Sequence, residues 1–393
     1  MMNPEKLILE TPYGTRDLLP RDAAEMRHME NMLSSLFRSW GYDEIVTPTI
    51  EHLETLAPRV QEENSLFMLL GNQNKILALR NEMTTPIARL VSSRLKDAPV
   101  PLKLSYIGNV FRVEQTQTGR QCEFHQAGVE LMGSERPAAD AEIVSLAISS
   151  VLSCGIKDFQ IHMGQVDFLD GLLSYFEIDE QRQREIKSAI ERHNFVLMDN
   201  LIDALSLSEK DRGMLKELPL LNGREELLRR LYDFPRNEQS RCAIDNLAEI
   251  YALLKSYGVA DYVRFDLGII RDFNYYTGMV FEGYSPGLGF PLCGGGRYDR
   301  LLTEYGHPMS ATGFALGMER ILLTLDRQGG QIPSVSRDVY IGYGEQSIGE
   351  AIRRAMELRK AGKIVELGLT GQSYEEAESS REMRGYTALE YFQ

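Results

Sequence analysis

The sequence predicts an α+β fold in which an antiparallel sheet, flanked by helices, is interrupted by a helical segment. Between about residues 166 and 258 the chain is charged and amphipathic, with apolar side chains at helical spacing and few strand signals. Strand-like apolar runs precede this segment and return after it, at residues 159–164, 263–270, 279–284 and 313–316. A last alternation of strands and helices over residues 337–393 predicts a small α/β domain. Strands and helices segregated in this way are typical of the α+β class.

The N-terminal part predicts a helix followed by a strand. Asp22 can cap the helix, with Glu25 three residues later as in a capping box. Gly41 ends the helix, and residues 44–51, which include Pro48, predict a strand. Apolar residues recur at helical spacing between these two ends, at Met26, Met29, Leu33, Leu36, Phe37 and Trp40.

The elements that follow predict most of the sheet. Residues 75–80 predict a strand, residues 85–93 a helix, and residues 138–153 a second helix before the strand at 159–164. Between the two helices, residues 104–114 and 121–133 predict a β-hairpin with a polar turn at Thr118-Gly119. The helical segment is most regular at residues 186–192, 225–231 and 244–255.

A linker precedes the small C-terminal domain. Residues 328–336 contain two glycines, a proline and two serines, a composition typical of linkers. Three strands are then predicted at residues 339–343, 364–369 and about 386–391. Two helices alternate with them, the first opened by Ser347 and Glu350, the second by Ser373 and Glu376. This order predicts a parallel α/β unit.

Composition narrows the class of protein. The chain has 393 residues, of which 43% are apolar and 25% charged, as in ordinary globular proteins. Forty-three basic and fifty-seven acidic side chains leave a net charge of −14. Because contacts with phosphates dominate the binding of nucleic acids, this charge argues against a surface that binds tRNA. The four scattered cysteines indicate reduced thiols and no metal site. No run approaches the length of a bilayer span, so we expect a cytoplasmic protein without membrane contact.

Two segments carry the candidate nucleotide chemistry. Residues 111–126 place Arg112 and Glu114 on one strand and Phe124 on the next. Arg112 could donate to a phosphate, Glu114 could accept from an adenine amino group, and Phe124 could stack on the base. Residues 313–320 (Gly-Phe-Ala-Leu-Gly-Met-Glu-Arg) then lead from a strand into a helix that contains Arg320.

These two segments resemble motifs 2 and 3 of the class II aminoacyl-tRNA synthetases. The resemblance is narrower at residues 13–20 (Tyr-Gly-Thr-Arg-Asp-Leu-Leu-Pro), 79–84 (Leu-Arg-Asn-Glu-Met-Thr), 271–278 (Arg-Asp-Phe-Asn-Tyr-Tyr-Thr-Gly) and 294–299 (Gly-Gly-Gly-Arg-Tyr-Asp). They are similar to segments of histidyl-tRNA synthetase and of its paralogue, the regulatory subunit of short-form ATP phosphoribosyltransferase. The similarity runs from about Thr11 to Leu325. The N-terminal helix and strand resemble motif 1, which forms the dimer interface in that family.

The resemblance implies a histidine pocket. Glu82, Thr84 and Gln126 would hold the ammonium group, and Arg271 would pair with the carboxylate. Glu130 and Tyr276 would bracket the imidazole, and Tyr275 would line the wall. Glu130 follows apolar residues and needs a partner if it is buried, either a bound ligand or a structural hydrogen bond. The glycines at 294–296 would allow either close approach of a ligand or a tight turn.

Several positions depart from the synthetase pattern. Cys122 stands where the synthetases carry an arginine, and Gln115 where a basic residue is common. Asp272 follows Arg271, and Asn81 replaces a proline. Because activation of an amino acid needs positive charge near the phosphates, these changes predict a pocket that holds histidine better than it activates it. Arg112, Glu114, Phe124 and Arg320 nevertheless remain as a nucleotide-site remnant.

The interpretation is a catalytically idle, synthetase-like core over residues 1–165 and 259–327, with a helical insertion at 166–258 and a truncated anticodon-binding-like domain at 337–393. The first hypothesis is a regulatory subunit that binds histidine. It would pair with itself and with the short-form ATP phosphoribosyltransferase catalytic subunit in a hetero-oligomer, without a cofactor or tRNA. The alternative is a functional histidyl-tRNA synthetase, which uses ATP, magnesium and tRNA. His125 is expected to be structural.

Overall fold

The computed structural model describes residues 9–56, 66–72, 75–113, 121–269, 276–330, 332 and 337–393. The chain divides into two compact units, which are described separately. The first contains Met1–Leu18 and Met26–Gln331, and the second contains Leu19–Glu25 and Ile332–Gln393. The predicted helical insertion belongs to the first unit, and its domain boundaries at residues 166 and 258 stay a prediction.

A nine-stranded sheet forms the centre of the first unit. Its strands pair in the order β1-β5-β6-β12-β11-β10-β7-β9-β8, and all pairs are antiparallel except β1–β5 and β7–β9. The predicted antiparallel sheet is therefore confirmed. The strands are β1 (Asp43–Glu44), β5 (Leu102–Phe111), β6 (Glu123–Met132), β7 (Gln160–Gln165), β8 (Asn222–Gly223), β9 (Val263–Asp266), β10 (Met279–Tyr284), β11 (Cys293–Arg297) and β12 (Ala311–Gly317).

A second, three-stranded sheet is built from residues 50–52, 68–70 and 76–79. It has the antiparallel order β2-β4-β3. The single strand predicted at residues 44–51 is wrong, because the chain instead forms β1 in the large sheet and β2 in the small one. Its strands are β2 (Ile50–His52), β3 (Met68–Leu70) and β4 (Ile76–Leu79).

Helices pack against the large sheet. The first helix begins at Pro20 instead of after Asp22, which lies in its first turn, where a carboxylate favours the helix dipole. Four of the six predicted apolar positions are buried, Met26, Met29, Leu33 and Phe37, whereas Leu36 and Trp40 are half-buried. The helices outside the central helical segment are α1 (Pro20–Ser39), α2 (Leu53–Leu56), α3 (Thr84–Arg94), α4 (Pro137–Ser153), α11 (Leu301–Glu304) and α12 (Met318–Arg327).

Six α-helices occupy the central helical segment. The longest of them packs against both α4 and the first helix of the segment, so the segment is continuous with the core. None of the helices in the described ranges has the length and apolar character needed to cross a bilayer. The six helices are α5 (Val166–Tyr175), α6 (Glu180–Glu191), α7 (Phe195–Asp203), α8 (Glu209–Glu217), α9 (Glu225–Leu231) and α10 (Glu238–Ser256).

The second unit is a parallel α/β unit, as predicted, with strand order β14-β13-β15. The capping box of Ser373 and Glu376 is confirmed. The cap predicted at Ser347 is wrong, because its hydroxyl donates to the main-chain oxygen of Gln393 instead of capping the helix. The elements are β13 (Val339–Tyr343), α13 (Ile348–Lys360), β14 (Val365–Leu367), α14 (Tyr374–Arg384) and β15 (Ala388–Phe392).

A buried ion pair joins α4 to the glycine-rich strand β11. The Nε and Nη2 atoms of Arg297 each lie 3.0 Å from a carboxylate oxygen of Asp140, and Asp140 has no exposed surface. Nη1 donates to the Ser134 carbonyl at 3.0 Å and to Asp299 at 3.1 Å. Burial alone would lower the pKa of Arg297, but the Asp140 carboxylate outweighs this effect and raises it. Burial also raises the pKa of the Asp140 carboxyl, and the Arg297 guanidinium opposes that rise.

We expect Asp140→Ala to lower the free energy of unfolding of the first unit by about 3–5 kcal/mol, because it leaves a buried arginine without its carboxylate. Urea unfolding followed by the fluorescence of Trp40, the single tryptophan, measures this unit directly. Glu180→Ala, which removes an exposed pair with Arg184, is the control and should cost less than about 0.5 kcal/mol. Equal effects of the two changes would contradict this role of the pair.

Candidate functional site

A cavity of about 370 Å³ opens at the middle of the large sheet. Six of the predicted site residues line it together: Glu82, Thr84, Arg112, Gln126, Glu130 and Tyr276. The remaining wall consists of residues that sequence reasoning did not assign individually to the pocket, apart from the glycines. They are Asn81, Met83, Tyr106, Glu191, Gly294, Gly295, Tyr298, Gly313, Phe314 and Ala315.

Glycines form the floor of this cavity because no side chain fits there. A Cβ atom added at Gly313 would lie 1.9 Å from Oε2 of Glu130, its partner in the β6–β12 pairing. A Cβ atom at Gly295 would lie 2.2 Å from the carbonyl oxygen of Gly313. Gly294 and Gly295 belong to strand β11, so the alternative of a tight turn is wrong. Their role is to let the strands and the Glu130 side chain approach closely.

Glu130 is almost fully buried, with 2% of its surface exposed. The Thr84 hydroxyl donates to Oε1 at 2.8 Å, and the Tyr298 hydroxyl donates to Oε2. The buried carboxylate thus has structural hydrogen-bond partners within the protein, one of the two alternatives that its burial required. Glu130 also lines the cavity, and a carboxylate oxygen can accept more than one hydrogen bond. Sequence reasoning missed Tyr298, although it belongs to the quoted segment Gly294 to Asp299.

Glu82 caps the helix that follows it. Its two carboxylate oxygens accept the backbone amides of Thr84, at 2.6 Å, and of Thr85, at 2.8 Å. The intervening residue Met83 occupies the N-cap position and makes no side-chain cap. Glu82 therefore satisfies the orphan amides of α3 and holds the backbone of residues 81–84 against the cavity.

Besides Tyr298, the tyrosines Tyr106 and Tyr276 form part of the wall. Tyr106 is buried, and its hydroxyl lies 3.5 Å from the Phe314 carbonyl oxygen. Burial raises the pKa of Tyr106 well above its usual value, and the carboxylates of Glu130 and Glu82 add to the effect, so it stays a neutral phenol. The ring of Tyr276 packs so close to Gly296 that a Cβ there would lie 2.9 Å from it.

The predicted nucleotide-site residues are only partly brought together. The guanidinium carbon of Arg112 lies 5.3 Å from the centre of the Phe124 ring, and Nε donates to the Asn81 carbonyl at 2.9 Å. Arg320 lies over Phe290 and donates to the Pro291 carbonyl at 2.8 Å. Of these predicted residues, Arg112 lines the cavity, whereas Phe124 and Arg320 are not among its lining residues.

The packing around Cys122 leaves no room for an arginine side chain at this position. Its side chain is buried, and its amide donates to the Gly14 carbonyl at 2.7 Å. A Cβ added at Gly14 would lie 2.4 Å from the sulfur atom, so the two residues are in close contact. An arginine side chain would have to displace this N-terminal segment.

His125 holds α12 against β6. Its backbone amide lies 3.0 Å and its Nδ1 atom 2.8 Å from Oε1 of Glu319, in the first turn of α12. The hydrogen bond with Glu319 raises the pKa of His125 above its usual value, although burial opposes the shift. The residue does not line the cavity, in line with a structural role.

Three of the predicted site residues lie outside the described part of the chain. They are Arg271 and Tyr275 of the histidine set and Glu114 of the nucleotide set. The departures Gln115 and Asp272 lie outside it as well. The roles of all five stay predictions.

This chain is similar in sequence to proteins of known families. The model of the histidyl-tRNA synthetase family matches residues 14–321. An ATP phosphoribosyltransferase regulatory subunit from Moorella thermoacetica is 41% identical over 96% of this chain and 97% of its own length. A protein of the same name from Desulforamulus reducens is 39% identical over 96% of this chain and 94% of its own.

Solved structures agree with these relatives. The crystal structure of an ATP phosphoribosyltransferase regulatory subunit/histidyl-tRNA synthetase from Bacillus halodurans has a TM-score of 0.89. It is 34% identical and covers 99% of this chain and 100% of that one. Histidyl-tRNA synthetase from a Nostoc species, 22% identical over 97% of this chain and 90% of its own, shares the fold with a TM-score of 0.84. The chain therefore belongs to the family of ATP phosphoribosyltransferase regulatory subunits, which have the class II histidyl-tRNA synthetase fold.

Proposed function

We propose that this chain is the non-catalytic regulatory subunit of ATP phosphoribosyltransferase in the first step of histidine biosynthesis. It binds histidine in the cavity, and it mediates both activation and feedback inhibition of the short-form catalytic subunit. The observation that carries this proposal is the convergence of six expected histidine- and nucleotide-site residues on one cavity, in a chain whose relatives bear the regulatory name.

The chemistry of the cavity suits free histidine. The ligand has an ammonium group, a carboxylate and an imidazole with two nitrogens, so it needs acceptors, a cation and polar contacts for the ring. Glu82, Glu130 and Glu191 supply acceptors, and Arg112 supplies a cation within the described wall. The ring would lie between Glu130 and Tyr276, and Arg271 and Tyr275 would complete the site.

We further propose that the chain pairs with itself through α1 and residues 44–51. An apolar surface adjoins these elements: 82% of Val46 and 92% of Leu70 are exposed, and Ile50 and Met68 are also exposed. Water contact with such a patch is unfavourable, and a second copy would bury it. Sedimentation velocity tests the pairing, and a monomer at micromolar concentration would contradict it.

The alternative function is that of a histidyl-tRNA synthetase. Arg112 over Phe124 favours it, because this pair could still receive a nucleotide. The buried contact of Cys122 with Gly14 and the balance of eight basic to ten acidic residues in 337–393 favour the regulatory function. No membrane partner and no tRNA are part of the proposal.

We expect the purified protein to show no transfer of histidine to tRNA, because the position of Cys122 cannot supply positive charge near the phosphates. Histidine-dependent exchange of pyrophosphate into ATP, followed by tRNA charging, is the measurement, with an active histidyl-tRNA synthetase as the positive control. Charging at the rate of that control would favour the alternative function.

Glu130→Gln should weaken histidine binding by at least about 30-fold, since removal of the partner of a charged ligand group typically costs ~2–5 kcal/mol. Isothermal titration calorimetry measures the Kd, and the glutamine keeps the shape that Thr84 and Tyr298 contact. Glu180→Gln, at an exposed site in the helical segment, is the matched control and should bind like the wild type. Unchanged binding by Glu130→Gln would remove Glu130 from the histidine site.

Histidine should inhibit the catalytic subunit only when this chain is present. A ligand shifts an equilibrium only by its difference in affinity for two states, so substrates and histidine should weaken each other's binding by ~5–150-fold. Histidine titration of the reconstituted complex measures the inhibition, with the catalytic subunit alone and the Glu130→Gln complex as controls. Equal inhibition of the wild-type and Glu130→Gln complexes would place the feedback site elsewhere.

A further inference from the structure

The sheet of the second unit has an open edge at β14, which pairs with β13 and with no further strand of the described residues. Toward β13, the Ile364 carbonyl accepts a bond at 3.1 Å and the Gly368 amide donates one at 2.8 Å. Because backbone groups alternate sides along a strand, those of Val365 and Leu367 point outward. Arg359 donates to the Val365 carbonyl at 3.0 Å, but no described group bonds the two outward amides or the Leu367 carbonyl. The edge therefore offers two donors and one acceptor to an added strand.

An apolar stripe on α13 runs beside this edge. Ile348, Ile352 and Met356 recur every four residues, and 44–48% of the surface of each is exposed. Arg359, seven residues after Ile352 and so on the same side of the helix, reaches the edge of β14. Arg354, on another side, pairs with β15 instead. The exposed stripe therefore faces the open edge of β14 and not the opposite edge of the sheet.

The open edge and the stripe form two walls of one groove. The side chains of Val365 and Leu367 pack in the same apolar cluster as Ala351 and Ala355 of α13, so they lie on the α13 side of the sheet. In a strand added to β14, every second side chain would also lie on this side, below the stripe. We call this feature the β14 groove: the outward backbone groups of residues 365 and 367 and the stripe at residues 348, 352 and 356.

Basic side chains border the β14 groove. Arg353 and Lys360 lie next to the stripe on the solvent side of α13, and Lys363 precedes β14. The side chains of Arg353 and Lys363 are 71% and 55% exposed. Their ion pairs with Glu350 and Asp338 are long, at 3.9 Å and 3.8 Å. An acidic partner would therefore complement this border.

The same charges argue against a second copy of this chain as the occupant. Pairing of β14 with the β14 of another copy would place the two basic borders side by side, and like charges brought together disfavour a complex. The acidic Glu357 does not offset them, because it pairs with Arg354 on the side of α13 that faces β15. The groove therefore suits a different chain.

We propose that the β14 groove binds an extended segment of another protein, apolar along its middle and acidic at its ends. The segment adds a strand to the sheet, and its backbone bonds the outward groups of Val365 and Leu367. Its apolar side chains lie against the stripe on α13, and its acidic ends meet the basic border. The site belongs to the second unit, so the inference does not rest on the binding of histidine in the first.

The probe is a short fluorescent peptide in which valines alternate with threonines between paired acidic ends. Fluorescence anisotropy with the full-length protein measures its Kd. We expect the peptide to bind, and to bind more weakly as salt is added, because salt screens the charges at its ends. A matched peptide with lysines in place of the acidic residues should bind at least about 10-fold more weakly, since its ends meet like charges.

Two substitutions separate the walls of the groove. Leu367→Pro removes an outward amide that the fold does not use, and should weaken the acidic peptide at least about 10-fold. Leu367→Ala, which shortens the same side chain and keeps the amide, is its matched control and should cost less than about 3-fold. Ile352→Ser should weaken the peptide roughly 5-fold by loss of apolar contact. Its control is Val196→Ser, at an apolar residue of α7 that is 75% exposed and should have no effect.

Several results would overturn the inference. They are absence of binding of the acidic peptide, equal binding of the acidic and basic peptides, and binding by Ile352→Ser that matches the wild type. Sedimentation velocity adds a further one: weaker self-association of Ile352→Ser than of Val196→Ser would assign the groove to a second copy. Thermal unfolding followed by circular dichroism shows whether each variant is folded, and Ile352→Ser keeps the test decisive if the proline variant is not.

Discussion

The buried ion pair between Arg297 and Asp140 is the interaction on which the rest of the site depends. Arg297 ends the glycine-rich strand β11, and the next residue, Tyr298, donates its hydroxyl to Glu130. Asp140 lies on α4, which packs against β6, β11 and β12. A chain of charged and polar contacts therefore runs from a buried helix, through one strand, to the carboxylate at the bottom of the cavity.

The same polar groups support the fold and furnish the site. Glu82 caps α3 while it lines the cavity, and Thr84 both starts that helix and donates to Glu130. A ligand that binds there would therefore meet side chains whose positions are already set by structural hydrogen bonds. Such preorganisation reduces the entropy lost on binding. It also means that a ligand in the cavity would contact the same side chains that hold α3 and the neighbouring strands in place.

Periodicity and turn residues in the sequence were enough to predict most strands of the large sheet, its longer helices and the parallel C-terminal unit, but not the strands β1, β8 and β11. The strand Met279–Tyr284 was predicted with its observed bounds, because its apolar run is short and ends at a turn. Helix starts were less predictable: α1 begins at Pro20, whose fixed φ suits a first helical turn, and Ser347 bonds a distant main-chain oxygen. The bond of Ser347 to residue 393 cannot be read from local sequence.

The site was predictable where a family motif marks it and not where the fold supplies it. Glu82, Gln126 and Glu130 lie in or near quoted segments, and the structure brings them to one cavity. Glu191 has no such signal, because only the packing of α6 brings it to residues about sixty positions earlier and more than eighty later. Tyr298 had a partial signal, since it follows three glycines whose lack of side chains makes room beside Glu130.

The glycine floor also limits how this cavity can diverge. Even a methyl group at Gly313 or Gly295 would collide with Glu130 or with the neighbouring strand. Substitutions in the floor therefore cannot change which ligand the cavity prefers. Variation is confined to the walls and the rim, which come from α3, from the tyrosines and from the corner of α6. Relatives that bind another amino acid on this scaffold would therefore keep the same floor and differ at those edges.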